Sequence, residues 1–142
     1  MADAGNQLRV RLVTPERVLV ETTADAVELP AKNGYMEVLY GAAPLLAELG
    51  AGDVTLHGGP EGHHRYNVSW GFVEVLPDRV TILANDALKP ADIDTARAKE
   101  QLDRGNKMWS EAGESEEAYT EALHVINEAE AKLASAGAGE KH

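Results

Sequence analysis

The chain has no cysteine among its 142 residues. That excludes disulfides, a thiolate nucleophile and any zinc or iron–sulfur site built on cysteine ligands, and it leaves the redox compartment open. Aromatic residues are scarce at 5%, so a core has to be aliphatic. Positive charge is also short: 13 Lys/Arg stand against 24 Asp/Glu, for a net charge of -11. An acidic chain repels phosphate backbones, which argues against a nucleic-acid partner. The deficit is even, with 6 basic against 12 acidic residues over 1–88 and 7 against 12 over 89–142, so no basic tail faces an anionic bilayer. No stretch approaches the ~18 continuous apolar residues of a membrane span, and the opening MADAGNQLRV has no apolar run. A soluble, cytoplasmic protein without direct membrane insertion is expected.

What is present is a dense β signal. In Asn67–Asn85, NVSWGFVEVLPDRVTILAN, Val73 and Val75 alternate with Phe72, Glu74 and Leu76, and Pro77-Asp78 leads into Val80-Thr81-Ile82-Leu83. Two β-branched runs joined by a turn dipeptide predict a hairpin with Val73, Val75, Val80 and Ile82 inward. A lone hairpin is marginal in water, so the preceding residues have to cover it. They read as further strands: Leu8–Val13, Arg17–Glu21, Ala24–Leu29 stopped by Pro30, Tyr35–Leu39 after the turn Lys32-Asn33-Gly34, an apolar run Leu45–Leu49 closed by Gly50-Ala51-Gly52, a strand begun by Val54 and Leu56, and an alternation His64, Tyr66, Val68, Trp70. Strands at ~8–12-residue spacing with Gly/Pro punctuation predict an antiparallel β-sandwich or flattened barrel over residues 1–87.

After Leu88 the period changes. Pro90 suits a first helical turn, Asp92 and Asp94 suit the positive end of the dipole, and Ala91–Lys107 is rich in helix formers. Gly113 sits in a break, and Ser115 is placed to cap a second helix with Glu116 and Glu117 in its first turn. There Tyr119, Ala122, Leu123, Ile126, Ala129 and Leu133 share one stripe. An antiparallel two-helix hairpin over 88–136 is expected, joined through small residues such as Ala118, Ala122, Ala129 and Ala136, with a flexible tail at 137–142. So thin a hairpin is weakly held, as an element that switches between two dockings has to be.

This order of elements resembles the epsilon subunit of F-type ATP synthase (delta in mitochondria). The resemblance rests on Leu12-Val13-Thr14-Pro15-Glu16-Arg17, on Gly34–Leu46 (GYMEVLYGAAPLL), on Val68–Val75, on Val80–Ala84 and on Asp92–Ala98 (DIDTARA). It implies a non-catalytic stalk subunit whose sandwich joins the gamma subunit to the membrane c-ring. Its hairpin would fold down, or extend along gamma toward the alpha and beta subunits and hinder ATP hydrolysis. It implies a peripheral place on the cytoplasmic face of the cell membrane, held through the complex, with no cofactor required. The residues agree, since they offer no nucleophile–base pair and no phosphate cradle.

Two departures matter. The family's contact with the polar loops of the c-ring often uses an acidic residue and a histidine, where Tyr35 and Ala42 stand here, and Glu37 replaces a usual glycine. The expected c-ring contact is therefore Tyr35, Glu37, Tyr40 and Ala42, more apolar and aromatic than in relatives. Some bacterial members bind ATP as a regulatory ligand through an Ile/Leu-Asp-x-x-Arg-Ala motif, matched by Ile93, Asp94, Arg97 and Ala98. Asp94, Arg97 and Arg104 share a face at i, i+3 and i+7 spacing and form a candidate ATP site. Against it, no arginine follows Arg104, and Ser115–Ala134 carries five Glu and one Lys, which repels a triphosphate and predicts weak inhibition.

Plainer roles compete elsewhere. His57, His63 and His64 flank the Gly58-Gly59-Pro60 turn and could approach zinc, but adjacent strand residues point to opposite faces, so a solvated turn and no metal site is the expectation. Asp92 and Asp94 serve the helix dipole without any acid–base chemistry. Trp70 and Trp109 suit packing, and Gly71 suits a bulge or a close backbone approach. Two unrelated readings stay open: an interaction adaptor, and a small metallo-hydrolase.

Overall fold

The computed structural model describes residues 6–60, 62 and 64–140, with side chains described as far as Gly137. The chain divides into two units, Met1–Leu88 and Lys89–His142.

In the first unit, seven strands form one sheet: β1 Leu8–Val13, β2 Val18–Ala24, β3 Ala26–Ala31, β4 Gly34–Leu39, β5 Leu45–His57, β6 His64–Leu76 and β7 Arg79–Leu88, in the order β2-β1-β7-β6-β5-β3-β4. All neighbours are antiparallel except β1 and β7, which run parallel from Arg9↔Arg79 to Val13↔Leu83, a pairing the local pattern does not disclose. The sheet curls around one aliphatic core fed by every strand, with Leu8, Leu12, Val27, Leu29, Val38, Val54, Val68, Val73, Val80 and Ile82 essentially sealed from water. This is the β-sandwich the strand spacing calls for.

The predicted Pro77-Asp78 hairpin is there, with Val75 opposite Val80 and Val73 opposite Ile82. Arg79 Nε donates to Asp78 Oδ1 at 3.2 Å, and this hydrogen bond holds the Asp78 carboxyl below its ordinary value. Thr14 and Arg17 close the β1–β2 turn, with the Thr14 N–H donating to the Arg17 carbonyl at 2.8 Å.

Three expectations need correction. Pro30 does not stop β3, which runs on to Ala31; the β3–β5 ladder is already shifted between Glu28 and Ala31, so the missing N–H breaks no bond there. Gly50-Ala51-Gly52 does not end a strand, because both glycines are buried in extended backbone and Leu45–His57 is a single 13-residue strand. The alternation from His64 does not reach Trp70. Trp70 takes φ 58° and Gly71 φ 131°, and the inward set changes from Tyr66 and Val68 to Val73 and Val75. The register is kept across the kink, with Ser69 opposite Asp86 and Gly71 opposite Ala84. A strand without an extra residue has to rotate its backbone to exchange faces, and this one does so at Trp70-Gly71. A Cβ at Gly71 would strike the Leu83 carbonyl oxygen, so the position is a close backbone approach rather than a bulge.

In the second unit, Pro90–Asp92 is a separate 3-10 turn instead of the start of a long helix. Asp94 interrupts with extended backbone, and its Oδ1 accepts the Arg97 N–H at 3.1 Å, which sets the start of α1, Thr95–Glu111. Such a cap is worth about 1 kcal/mol. Ser115 caps α2, Glu116–Glu140, through the Ala118 N–H at 3.1 Å. The α2 helix thus continues past Ala136 into the stretch expected as a tail, whose last two residues lie outside the described ones. The two helices meet on small residues at seven-residue spacing: Ala98, Gly105 and Ala112 on one side, Ala122, Ala129 and Ala136 on the other, all buried. Leu123, expected in this seam, is 43% exposed, while the adjacent Ala122 is fully buried in it. At the turn end Trp109 and Tyr119 meet edge to face, 4.6 Å between centroids.

Candidate functional site

Strand β4 lies at the sheet edge and holds two of the four residues expected at the c-ring contact. Strand alternation turns Met36 and Val38 inward and leaves Tyr35, Glu37 and Leu39 as an outward row, with Tyr35 61% exposed. Tyr35 is not loose. Its hydroxyl accepts the Asp53 N–H at 2.9 Å, and its ring lies over Gly52, where any side chain would collide with it. Asp53 is fixed in turn by Asn67 Nδ2 at 3.3 Å and Arg65 Nε at 3.3 Å.

Tyr40 and Ala42 lie beyond the far end of β4 from Tyr35, in the loop before β5. The Gly41 N–H donates to the Pro77 carbonyl at 2.7 Å, which ties this loop to the β6–β7 turn. Tyr40 is exposed, but Ala42 packs against the core and offers little surface. So Tyr35 and Glu37 share a row with Leu39, Tyr40 stands apart at the row's end, and Ala42 is half-buried against the core.

A second surface is not foreseen by the sequence pattern. Val13 sits opposite both Val18 and Leu83, Leu83 opposite Phe72, and Phe72 opposite Glu48, two residues from Leu46 on the same strand face. Val18, Leu83, Phe72 and Leu46 are 44, 50, 51 and 70% exposed, an apolar band across five strands. The alternation that turns Val73 inward already sends Phe72 out. That Leu83 and Leu46 join it depends on register, which no single strand displays.

In the helical unit, Asp94, Arg97 and Arg104 are exposed beside the α1–α2 seam. The Asp94 carboxylate is engaged as a cap, and among the described residues neither guanidinium has an ion-pair partner. Across the seam α2 presents acid: Gln101 Nε2 donates to the Val125 carbonyl at 3.3 Å and to Glu128 Oε2 at 3.2 Å. Lys132, the single lysine of that stretch, is buried and bonds the same Glu128 oxygen at 3.4 Å. Among the described residues, a phosphate gripped by Arg97 and Arg104 finds no exposed lysine or arginine on the facing part of α2.

Of the three histidines around the Gly58-Gly59-Pro60 turn, two are described. His57 Nε2 lies 2.6 Å from Glu28 Oε1 on the outer face of β3, His64 begins β6, and His63 is outside the described residues.

Residues 7–90 match the family described as ATP synthase, Delta/Epsilon chain, beta-sandwich domain. The chain is 42% identical over 103 residues to the ATP synthase epsilon chain of Koribacter versatilis, 72% of this chain and 71% of that one. It is 40% identical over 129 residues to the epsilon chain of Solibacter usitatus, covering 91% of this chain and 95% of that one. In structure it resembles a chain of the Euglena gracilis mitochondrial ATP synthase with a TM-score of 0.74 at 17% identity, over 99% of this chain and 85% of the other. At that identity the likeness is one of fold. With more than half of its length inside the family's domain and near-complete relatives at such identity, the chain belongs to the ATP synthase delta/epsilon family, as a non-catalytic epsilon-type subunit.

Proposed function

We propose that the sandwich, taken as residues 1–87, couples gamma to the c-ring through two different surfaces. The observation that carries this is the apolar band Val18–Leu83–Phe72–Leu46, left in water on a chain whose core is otherwise closed. A contiguous exposed apolar surface marks a protein interface, and permanent subunit interfaces are its apolar kind. We assign this band to gamma. The outward row Tyr35, Glu37 and Leu39, with Tyr40, carries a carboxylate and two phenols and suits the polar loops of the c-ring. Attachment to the cytoplasmic face of the membrane is then peripheral and runs through the complex; among the described residues no helix is long and apolar enough to cross a bilayer.

The test is co-purification from the assembled enzyme. The double variant L46E/F72E is expected to lose gamma, because two charges would enter an apolar contact. The variant Y35A/E37K is expected to keep gamma while ATP hydrolysis loses its coupling to ion transport. Retention of gamma by L46E/F72E removes the assignment. An unrelated adaptor would instead bring down some other partner and neither stalk component.

Residues 88–136 form the candidate regulatory hairpin, and we infer that this version regulates weakly. The family's extended form works through basic side chains, and the lysine of Ser115–Ala134 is buried against Glu128. The same shortage argues against tight ATP binding at Asp94, Arg97 and Arg104. Deleting residues 89–142 is expected to leave the ATPase rate of the complex within about fivefold, since surface charge pairs are worth at most ~1 kcal/mol. A many-fold rise on truncation would overturn this.

A further inference from the structure

One group of side chains shares a single residue, Glu37, with the row assigned to the c-ring and otherwise lies outside both surfaces. Glu28, Glu37 and His57 stand on the neighbouring strands β3, β4 and β5, and one ligand atom from each lies within 4.8 Å of the other two. The ladders hold them together. Glu28 is directly opposite Glu37 on one side and Thr55 on the other, and His57 is opposite Ala26, two residues from Glu28 on the same face. Chain separation hides the group: His57 is 29 residues from Glu28.

Two carboxylates facing each other across a ladder destabilise the pair when both are charged. Nothing in the fold requires Glu37, since the position faces outward. The imidazole is already turned inward to the acids, at 2.6 Å from Glu28. Two carboxylates and one imidazole are a hard–borderline donor set that suits first-row divalent ions better than calcium or magnesium, which prefer oxygen alone. Around a tetrahedral zinc with ~2.0–2.2 Å bonds, ligand atoms sit about 3.4 Å apart. The Glu28–His57 separation is shorter than that value and no pair exceeds 4.8 Å, and the Glu28 and His57 side chains are 45% and 33% exposed, so small rotations suffice. Exposure also leaves room for water at the remaining position.

We propose that Glu28, Glu37 and His57 form a binding site for a first-row divalent cation, best suited to zinc, which clips edge strand β4 to β3 and β5. The site does not depend on the stalk assignment and is testable on the free chain. The full-length protein, stripped with a chelator, is titrated with zinc chloride by calorimetry and followed by thermal melting. One zinc per chain is expected, with a rise in melting temperature that excess magnesium does not reproduce. E28Q, E37Q and H57A should each weaken binding by at least ~10-fold, a loss typical of disturbed metal sites. H63A/H64A should bind as the parent does. The glutamine variants are isosteric and on the surface, so they decide the matter even if H57A folds poorly. Absence of saturable zinc binding, unchanged affinity in E28Q and E37Q, or loss of binding in H63A/H64A would each overturn the site.

Discussion

Valine at Gly71 is expected to lower the stability of the sandwich by about 4 kcal/mol, because two costs coincide there. The backbone sits at φ 131°, where a side chain is strained by roughly 1–3 kcal/mol. Any Cβ is also driven into the Leu83 carbonyl oxygen on β7, and relief by moving a paired strand costs a further ~1–3 kcal/mol. For a unit of this size that corresponds to a fall of about 15–30 °C in melting temperature. Urea unfolding followed by Trp70 emission in a W109F background measures it. G34A separates the two costs, because Gly34 has a similar φ of 136° and nothing within 4 Å of its missing Cβ. G34A should therefore show the backbone part alone, and a G71V midpoint no lower than that of G34A would refute the collision.

The second large effect is expected in the other unit. G105V should separate the helices. A Cβ at Gly105 would stand 2.7 Å from Ile126 Cγ1 and 3.2 Å from the Ile126 backbone nitrogen, and valine adds two more carbons at that level. Overpacking of this kind costs about 3 kcal/mol, and a two-helix hairpin has little margin of its own. Helical circular dichroism should fall to near the level of the 1–88 fragment's signal while the sandwich still melts cooperatively. G105A is smaller in size: alanine gains ~1 kcal/mol of helix propensity, which offsets part of the cost of a Cβ 2.7 Å from Cγ1 of the β-branched Ile126, so a net loss well below that of G105V is expected. A hairpin that keeps its full helicity in G105V would show that the close approach is not obligatory.

How much of this can be read from the sequence follows from where each signal resides. Elements bounded by local chemistry are legible: the Pro77-Asp78 turn, the Asn33-Gly34 turn, the Ser115 cap and the alanines at 122, 129 and 136. The errors fall where glycine and proline carry a meaning set by a neighbour. Gly50 and Gly52 read as punctuation but give room to Ala31 and Tyr35, and Pro30 reads as a stop although its ladder is already interrupted. Asp94 reads as a dipole partner inside a helix, whereas it is the residue that starts one. For the surfaces, alternation alone places Tyr35 and Glu37 outward. Ala42 follows from a family position that says nothing of its burial, and Leu46, Leu83 and the Glu28–His57 pairing belong to cross-strand register.

The parallel pairing of β1 with β7 has a consequence for how the protein is made. The partners Arg9–Val13 and Arg79–Leu83 are some seventy residues apart in the chain, so during synthesis β1 cannot complete its ladder until β7 has followed. Until then β1 has only β2 beside it, and its other edge is an open template for other chains.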